Sequence, residues 1–204
     1  MDRDAIAAAA IELEGLSYGG TRERYIATLY PHDTHADALS MGSSQSSCGL
    51  VCEALLRTQG VDCLLPYVSS FRTRARLPVV SWQREEAKRR GAWVDARVWS
   101  ADRQLPILGD MVEIGGDSPA WGDPGVYAGS HVLTIVGGER FDCISIDGGQ
   151  GDAKNKGRST AIARRERLFD ERPGQIWLVD PATGNGRRVA GWIDVGLLGI
   201  SAGA

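Results

Sequence analysis

Hydrophobic positions recur at helical spacing through the first half of the chain and at strand spacing through the second. Asp2 stands where it can cap a first helix reaching about Glu14, and Gly15 stops it. LSYGGTRERY follows as a turn, in which Gly19–Gly20 lets the backbone bend tightly or approach a ligand. Residues 21–45 are less periodic. YPHDTHADALSMGSSQ is polar, contains Pro31, and is expected to be a long loop with one short helical turn at most. Leu50, Val51, Ala54, Leu55 and Thr58 then mark one apolar helix face, which Ser46 or Ser47 caps and Gly60 ends. Asp62–Leu77 reads as a connector with Pro66 and several arginines. Ser81 caps a helix from Trp82 to Arg90, ended by Gly91, with REEAKRR as its solvated face. Ala92–Trp99 is a short strand before the breaker DRQLP.

Strand patterns follow. LGDMVEIGG, HVLTIVGG and FDCISID are β-rich, and the last alternates, with Ile144 and Ile146 on one face and Cys143, Ser145 and Asp147 on the other. HVLTIVGG and FDCISID form an antiparallel hairpin turning near Gly137–Arg140. IWLVD is a further strand, and VAGWIDVGLLGISAGA is either a final strand or a tail packed along the domain. Nothing repeats internally.

The 204 residues, 43% of them hydrophobic, suit one compact domain, 1–204, with or without a small extension. A net charge of −3 gives no footprint for nucleic acid. No apolar run has the length of a membrane span. MDRDAIAAAAIELEG lacks a basic leader followed by a long apolar core and does not read as a signal peptide. Cysteines at 48, 52, 63 and 143 show neither zinc spacing nor the density of a disulfide scaffold. This fits reduced cytoplasmic folding and leaves export by another route open. His32, Asp33, His35 and Asp37 could ligate a metal, but such a cluster in a loop reads first as a solvated surface, and no metal or cofactor is expected.

Chemistry enters with Cys48. In the first turn of a helix, unpaired N–H groups and the positive dipole end favour a thiolate, which is the nucleophilic form. Taken alone, this cysteine reads rather as a small buried residue. His131, opening the strand HVLTIV, changes that reading, because a thiol nucleophile needs a base and the base an orienting group. The hairpin brings Asp147 to the same end as His131, where it can fix the imidazole; Asp147 also reads as a turn-initiating residue before Gly148–Gly149. Gln150 is a weaker candidate for the orienting role.

Several pieces occur in order: a first helix, Ser17-Tyr18-Gly19-Gly20-Thr21, Ser47-Cys48-Gly49-Leu50-Val51, Gly109-Asp110-Met111-Val112, His131-Val132 and a polar residue on the next strand. This order resembles the papain-like NlpC/CHAP superfamily of cysteine peptidases and amidases, many of which cut bacterial cell-wall peptides. The resemblance implies an α+β, papain-like NlpC/CHAP fold with N-terminal helices packed on a central antiparallel β-sheet. It implies Cys48 as nucleophile, His131 as base and Asp147 as orienting residue, with Tyr18 contacting the substrate near the oxyanion. The Cys48 backbone N–H would receive the oxyanion, with Gln45 or the nearby serines as a second donor. Ser47-Cys48-Gly49 departs from the common Asp-Cys-Ser. The segments 21–45 and 62–100 are family-divergent insertions that shape the substrate groove.

The expected function is a cysteine hydrolase that cleaves an amide through a thioester. By resemblance its substrate is a peptidoglycan stem peptide or similar short peptide. Such a role implies delivery to the wall by a secretion machine or phage lysis system, and an immunity or delivery protein as partner; no nucleic acid or membrane partner is expected. A cytoplasmic amidase, deamidase or transferase is the nearest rival. A non-catalytic peptide- or glycan-binding protein, its groove lined by some of Trp82, Trp93, Trp99, Trp121, Trp177 and Trp192, and a metal enzyme using His32 and His35 are the others.

Overall fold

The alternating second half of the chain pairs with itself until it closes. A computed structural model describes residues 1–43, 45–62, 79–96, 104–115 and 131–198. Its strands are β1 (Trp93–Asp95), β2 (Met111–Ile114), β3 (His131–Gly137), β4 (Asp142–Asp152), β5 (Arg158–Arg172), β6 (Gln175–Val179) and β7 (Gly186–Ile193). They are ordered β1-β7-β2-β3-β4-β5-β6, all antiparallel, and β6 pairs back onto β7. Six strands, β2 to β7, therefore form a closed barrel, and β1 is a seventh strand paired to β7 beyond the segment that meets β6.

This corrects the expected papain-like fold of N-terminal helices on a central antiparallel sheet. Closure depends on β5, whose fifteen residues pair with both β4 and β6 and carry the sheet around. RSTAIARRERLFDER hides that strand from a hydrophobic pattern, because most of its side chains face solvent. β7 then supplies the closing edge from a glycine-containing stretch, GRRVAGWI.

Alternation along each strand separates two apolar layers. Leu133 and Ile135 of β3 join Val112, Cys143, Phe169, Ile176, Leu178 and Trp192 in the cluster inside the barrel. Val132 and Val136 of the same strand, with Ile146 and Ile162, pack outward under the helices. Each fully buried residue of that size contributes about 1.5–3 kcal/mol relative to exposure.

The helices are α1 (Arg3–Glu12), α2 (Arg22–Leu29), α3 (His35–Gly42), α4 (Cys48–Thr58), α5 (Val79–Arg89) and the short α6 (Val195–Leu198). Asp2 caps α1, its carboxylate accepting from the Ala5 N–H at 3.1 Å. Arg3 then ties α1 to the barrel by ion pairs with Asp110 and Asp194. Where a long loop with one short helical turn at most was expected over 30–45, α3 folds instead, and α2 fills the less periodic stretch before it. Each has eight residues and buries only two or three of them, too few to show a period in sequence. Thr34 caps α3 through the Asp37 N–H at 3.2 Å. α5 starts three residues earlier than expected and docks on α4 through Gln83, whose amide donates to the Gly49 carbonyl at 2.7 Å. Arg84 of α5 forms a two-pronged pair with buried Glu113 of β2. Most of the connector 62–77, the side chain of the cap Ser81, the end of the strand expected over 92–99 and the tail 199–204 lie outside the described residues. Among the described residues no helix is long and apolar enough to cross a membrane.

Candidate active site

The site is assembled where the first turn of α4 lands on β4. Gly148 and Gly149 form the seat. An added Cβ at Gly148 would lie 2.7 Å from the Ser47 carbonyl oxygen, and one at Gly149 would lie 2.4 Å from Ser46 Oγ and 3.6 Å from Cys48 Cβ. Gly149 also has φ +71°, in a bulge where the β4–β5 register shifts. These glycines sit within β4 and not in a turn, so Asp147 is a strand residue and not a turn initiator. Ser47 occupies the helix cap position, but its hydroxyl accepts from the Gly149 N–H at 2.7 Å and makes no cap bond to its own helix. The hydroxyl that could have capped α4 fastens it to the barrel instead.

Cys48 is thereby held at the start of α4, buried, with Ser46 Oγ donating to its sulfur at 3.6 Å. Burial pushes the thiol pKa up. The hydrogen bond and charge of His131, the Ser46 hydroxyl and the Val132 backbone outweigh burial and bring it down to about 7. The other two described cysteines contrast. Cys52 lies one turn on, fully buried against Thr134, and burial drives its pKa far up. Burial raises the Cys143 thiol, inside the barrel, to about 12.

His131 opens β3, and its Nε2 lies 3.1 Å from Asp147 Oδ2. With Nε2 turned to the carboxylate, Nδ1 is the ring nitrogen left for the thiol. Burial lowers the imidazole pKa, but the bonds to Asp147 and Cys48 more than reverse this and raise it to about 9. The thiol is thus shifted down and the imidazole up, the directions that favour a thiolate–imidazolium pair.

Asp147 faces Leu133 across the β3–β4 ladder and is wholly buried. Burial opposes its charge, yet His131, Arg167 and Ser145 hold its pKa below the usual carboxylate range. Ser145 Oγ donates to Oδ1 at 2.5 Å, and Arg167 of β5 pairs with Oδ2. Sequence reasoning missed Ser145 and Arg167 as partners of Asp147, and read Ser46 as a helix cap or oxyanion donor, not as the donor to the Cys48 sulfur. Ser145 was visible as the residue two before Asp147 on the same strand face, whereas Arg167 needs the β4–β5 register, in which it stands opposite Cys143.

The remaining expected residues are placed elsewhere in the network. Gln150 Oε1 accepts from Arg165 at 2.9 Å, so its amide is turned to β5 while Asp147 holds the imidazole. The Tyr18 hydroxyl donates to the Leu39 carbonyl at 3.0 Å, and its ring packs edge-on to Tyr25. Gly19 beside it donates to buried Asp152, which anchors the Tyr-Gly-Gly turn to the end of β4. The Gln45 N–H closes the end of α3 on the Met41 carbonyl, three residues before Cys48. Asp110 of the Gly-Asp motif serves the Arg3 knot. His32 pairs with Asp62 at 2.7 Å, and among the described residues no group of three or more His, Cys, Asp or Glu side chains is arranged to hold a metal.

Trp192 is buried in the barrel, and Arg84 and Arg172 lie over Trp93 and Trp177. These last two stand opposite Ile193 and Arg188 of β7, roughly 17 Å apart along the strand, so they do not form one platform. Trp82, Trp99 and Trp121 lie outside the described side chains.

Comparison with protein-family models, with curated proteins and with solved structures finds no match to this chain.

Proposed function

We propose that this protein is a cysteine hydrolase that cleaves an amide bond through a thioester intermediate. One observation carries the reading: His131 contacts both a buried carboxylate and a helix-start thiol whose pKa is lowered to about 7. A cysteine inside the barrel, Cys143, is shifted the opposite way. Perturbation of one thiol by a specific charged partner is what a nucleophile requires.

In the proposed reaction Cys48 Sγ attacks the carbonyl carbon, the C–S bond forms, and the carbonyl electron pair moves to oxygen. The backbone N–H groups of the first turn of α4 have no acceptor within the helix and receive this oxyanion. As the intermediate collapses, the C–N bond breaks and His131 gives its proton to the leaving amine. Water then attacks the thioester, His131 takes its proton, and Cys48 leaves as the thiolate. Asp147 keeps the imidazole turned throughout and stabilises its charged form whenever it holds the proton.

The motif order supports a short peptide as substrate, with a peptidoglycan stem peptide as the leading class. With that substrate the protein acts after delivery to the wall by a secretion or lysis system, and an immunity or delivery protein is its partner. The test is digestion of defined cell-wall peptides, read by mass spectrometry, with wild type and Cys48→Ala. Wild type is expected to release a new amine terminus and Cys48→Ala to release none. Equal turnover by both would overturn the proposal.

A further inference from the structure

We propose that Arg167 is a positioning residue whose fixed charge, paired with Asp147 inside the barrel, lets the Cys48 thiolate form. This inference rests on the cysteine-hydrolase reading and extends it to a residue on a strand that touches neither Cys48 nor His131 in the ladder.

The geometry carries the argument. Asp147 Oδ2 is shared between His131 Nε2 at 3.1 Å and the Arg167 guanidinium, and Oδ1 is taken by Ser145 Oγ at 2.5 Å. Arg167 Nε also reaches Ser145 Oγ at 3.4 Å, so the guanidinium is fixed at two points. Asp147 and Ser145 are wholly buried, which removes water as a counter-charge for the carboxylate. Around this centre the charged and titratable neighbours are His131 from β3, Arg167 from β5, Cys48 and Cys52 from α4, Cys143 on β4 itself and, facing Cys48 from α2, Tyr25. Glu53 of α4 acts on Cys52 from farther along the helix.

Counting charge decides the sign. In the reactive form Cys48 and Asp147 are anions, and His131 and Arg167 are cations, so the four sum to zero. Without Arg167 the same form carries a net negative charge in a desolvated site. The cheapest way to shed it is to return a proton to Cys48. Arginine suits the role because it does not titrate in the working range and its fork spans a carboxylate and a hydroxyl together.

The experiment is the pH dependence of Cys48 alkylation by iodoacetamide in the whole protein, for wild type, Arg167→Gln, Arg167→Lys and Asp147→Asn. Arg167→Gln is expected to raise the inflection by at least about one unit, which slows labelling at pH 7 roughly fivefold or more. Arg167→Lys keeps the charge and is expected to stay within about half a unit of wild type. Asp147→Asn removes the carboxylate through which Arg167 acts and which holds the His131 charge, so its inflection is expected to rise as well. An unchanged inflection in folded Arg167→Gln, or an equal rise in Arg167→Lys, would overturn the inference while leaving the dyad standing. If Arg167→Gln does not fold, a rise of about one unit in folded Arg167→Lys overturns it instead. An ordinary thiol in wild type contradicts the hydrolase reading itself.

Discussion

Gly148→Ala perturbs the site while leaving every reacting group chemically unchanged. Gly148 follows Asp147 on β4 and lies beneath the first turn of α4. A Cβ there meets the Ser47 carbonyl oxygen at 2.7 Å, Val51 Cγ2 at 2.7 Å and the Ser47 carbonyl carbon at 2.9 Å. Two of these atoms are backbone, so no rotamer change relieves the clash. Restoring ordinary contact near about 3.4 Å moves the start of α4 about 0.7 Å away from β4. Overpacking of this kind costs about 1–3 kcal/mol. For a domain of this size, about 2 kcal/mol lowers the melting temperature by roughly 4–8 °C. The same shift carries Cys48 away from His131. Since a misplacement of about 1 Å can cost on the order of a hundredfold, labelling and turnover are expected to fall roughly tenfold to a hundredfold. Thermal melts followed by circular dichroism, with iodoacetamide labelling at pH 7, read both effects. A variant that melts and labels like wild type would refute the claim that Gly148 seats the nucleophile.

Three further outcomes are expected. Asp147→Ala should lower kcat on the order of 10²–10⁴-fold with little change in KM, whereas Gln150→Ala, whose amide faces Arg165, should change kcat by only a few-fold; steady-state kinetics separates them. The pH profile of kcat/KM should be bell-shaped, because the thiolate is gained as pH rises through about 7 and the imidazolium is lost as it rises through about 9. Arg3→Met should destabilise the fold by about 2–3 kcal/mol by leaving buried Asp110 without its cation. Burial raises the Asp110 pKa to about 6 despite Arg3, so Asp110 is protonated below that pH and ionised above it. The melting-temperature loss in Arg3→Met is therefore expected to be larger at pH 7.5 than at pH 5.

What could be read from sequence was local. The β3–β4 hairpin follows from two β-rich runs and a short turn, and it alone brings His131 and Asp147 to the same end. The amphipathic run after Cys48 marks α4 with its correct start. The barrel was not legible, because its closure is a pairing between β6 and β7 and depends on β5, whose exposed charges mask the alternation. α2 and α3 were too short to show a period. Gly148–Gly149 looked like a turn, because a glycine pair carries the same local signal whether it bends the chain or admits a packed helix. Arg167 is a solvated charge in sequence and becomes part of the site only through the β4–β5 register.

The central claim is that Cys48 is a nucleophile activated by His131. The most direct measurement is the rate of iodoacetamide labelling against pH, with mass mapping of every cysteine, in wild type and His131→Ala. Selective labelling of Cys48 with an inflection near about 7, moving up to about 9 or above in His131→Ala, is the predicted result. Slow labelling without selectivity for Cys48, or a profile that His131→Ala leaves unchanged, would contradict it.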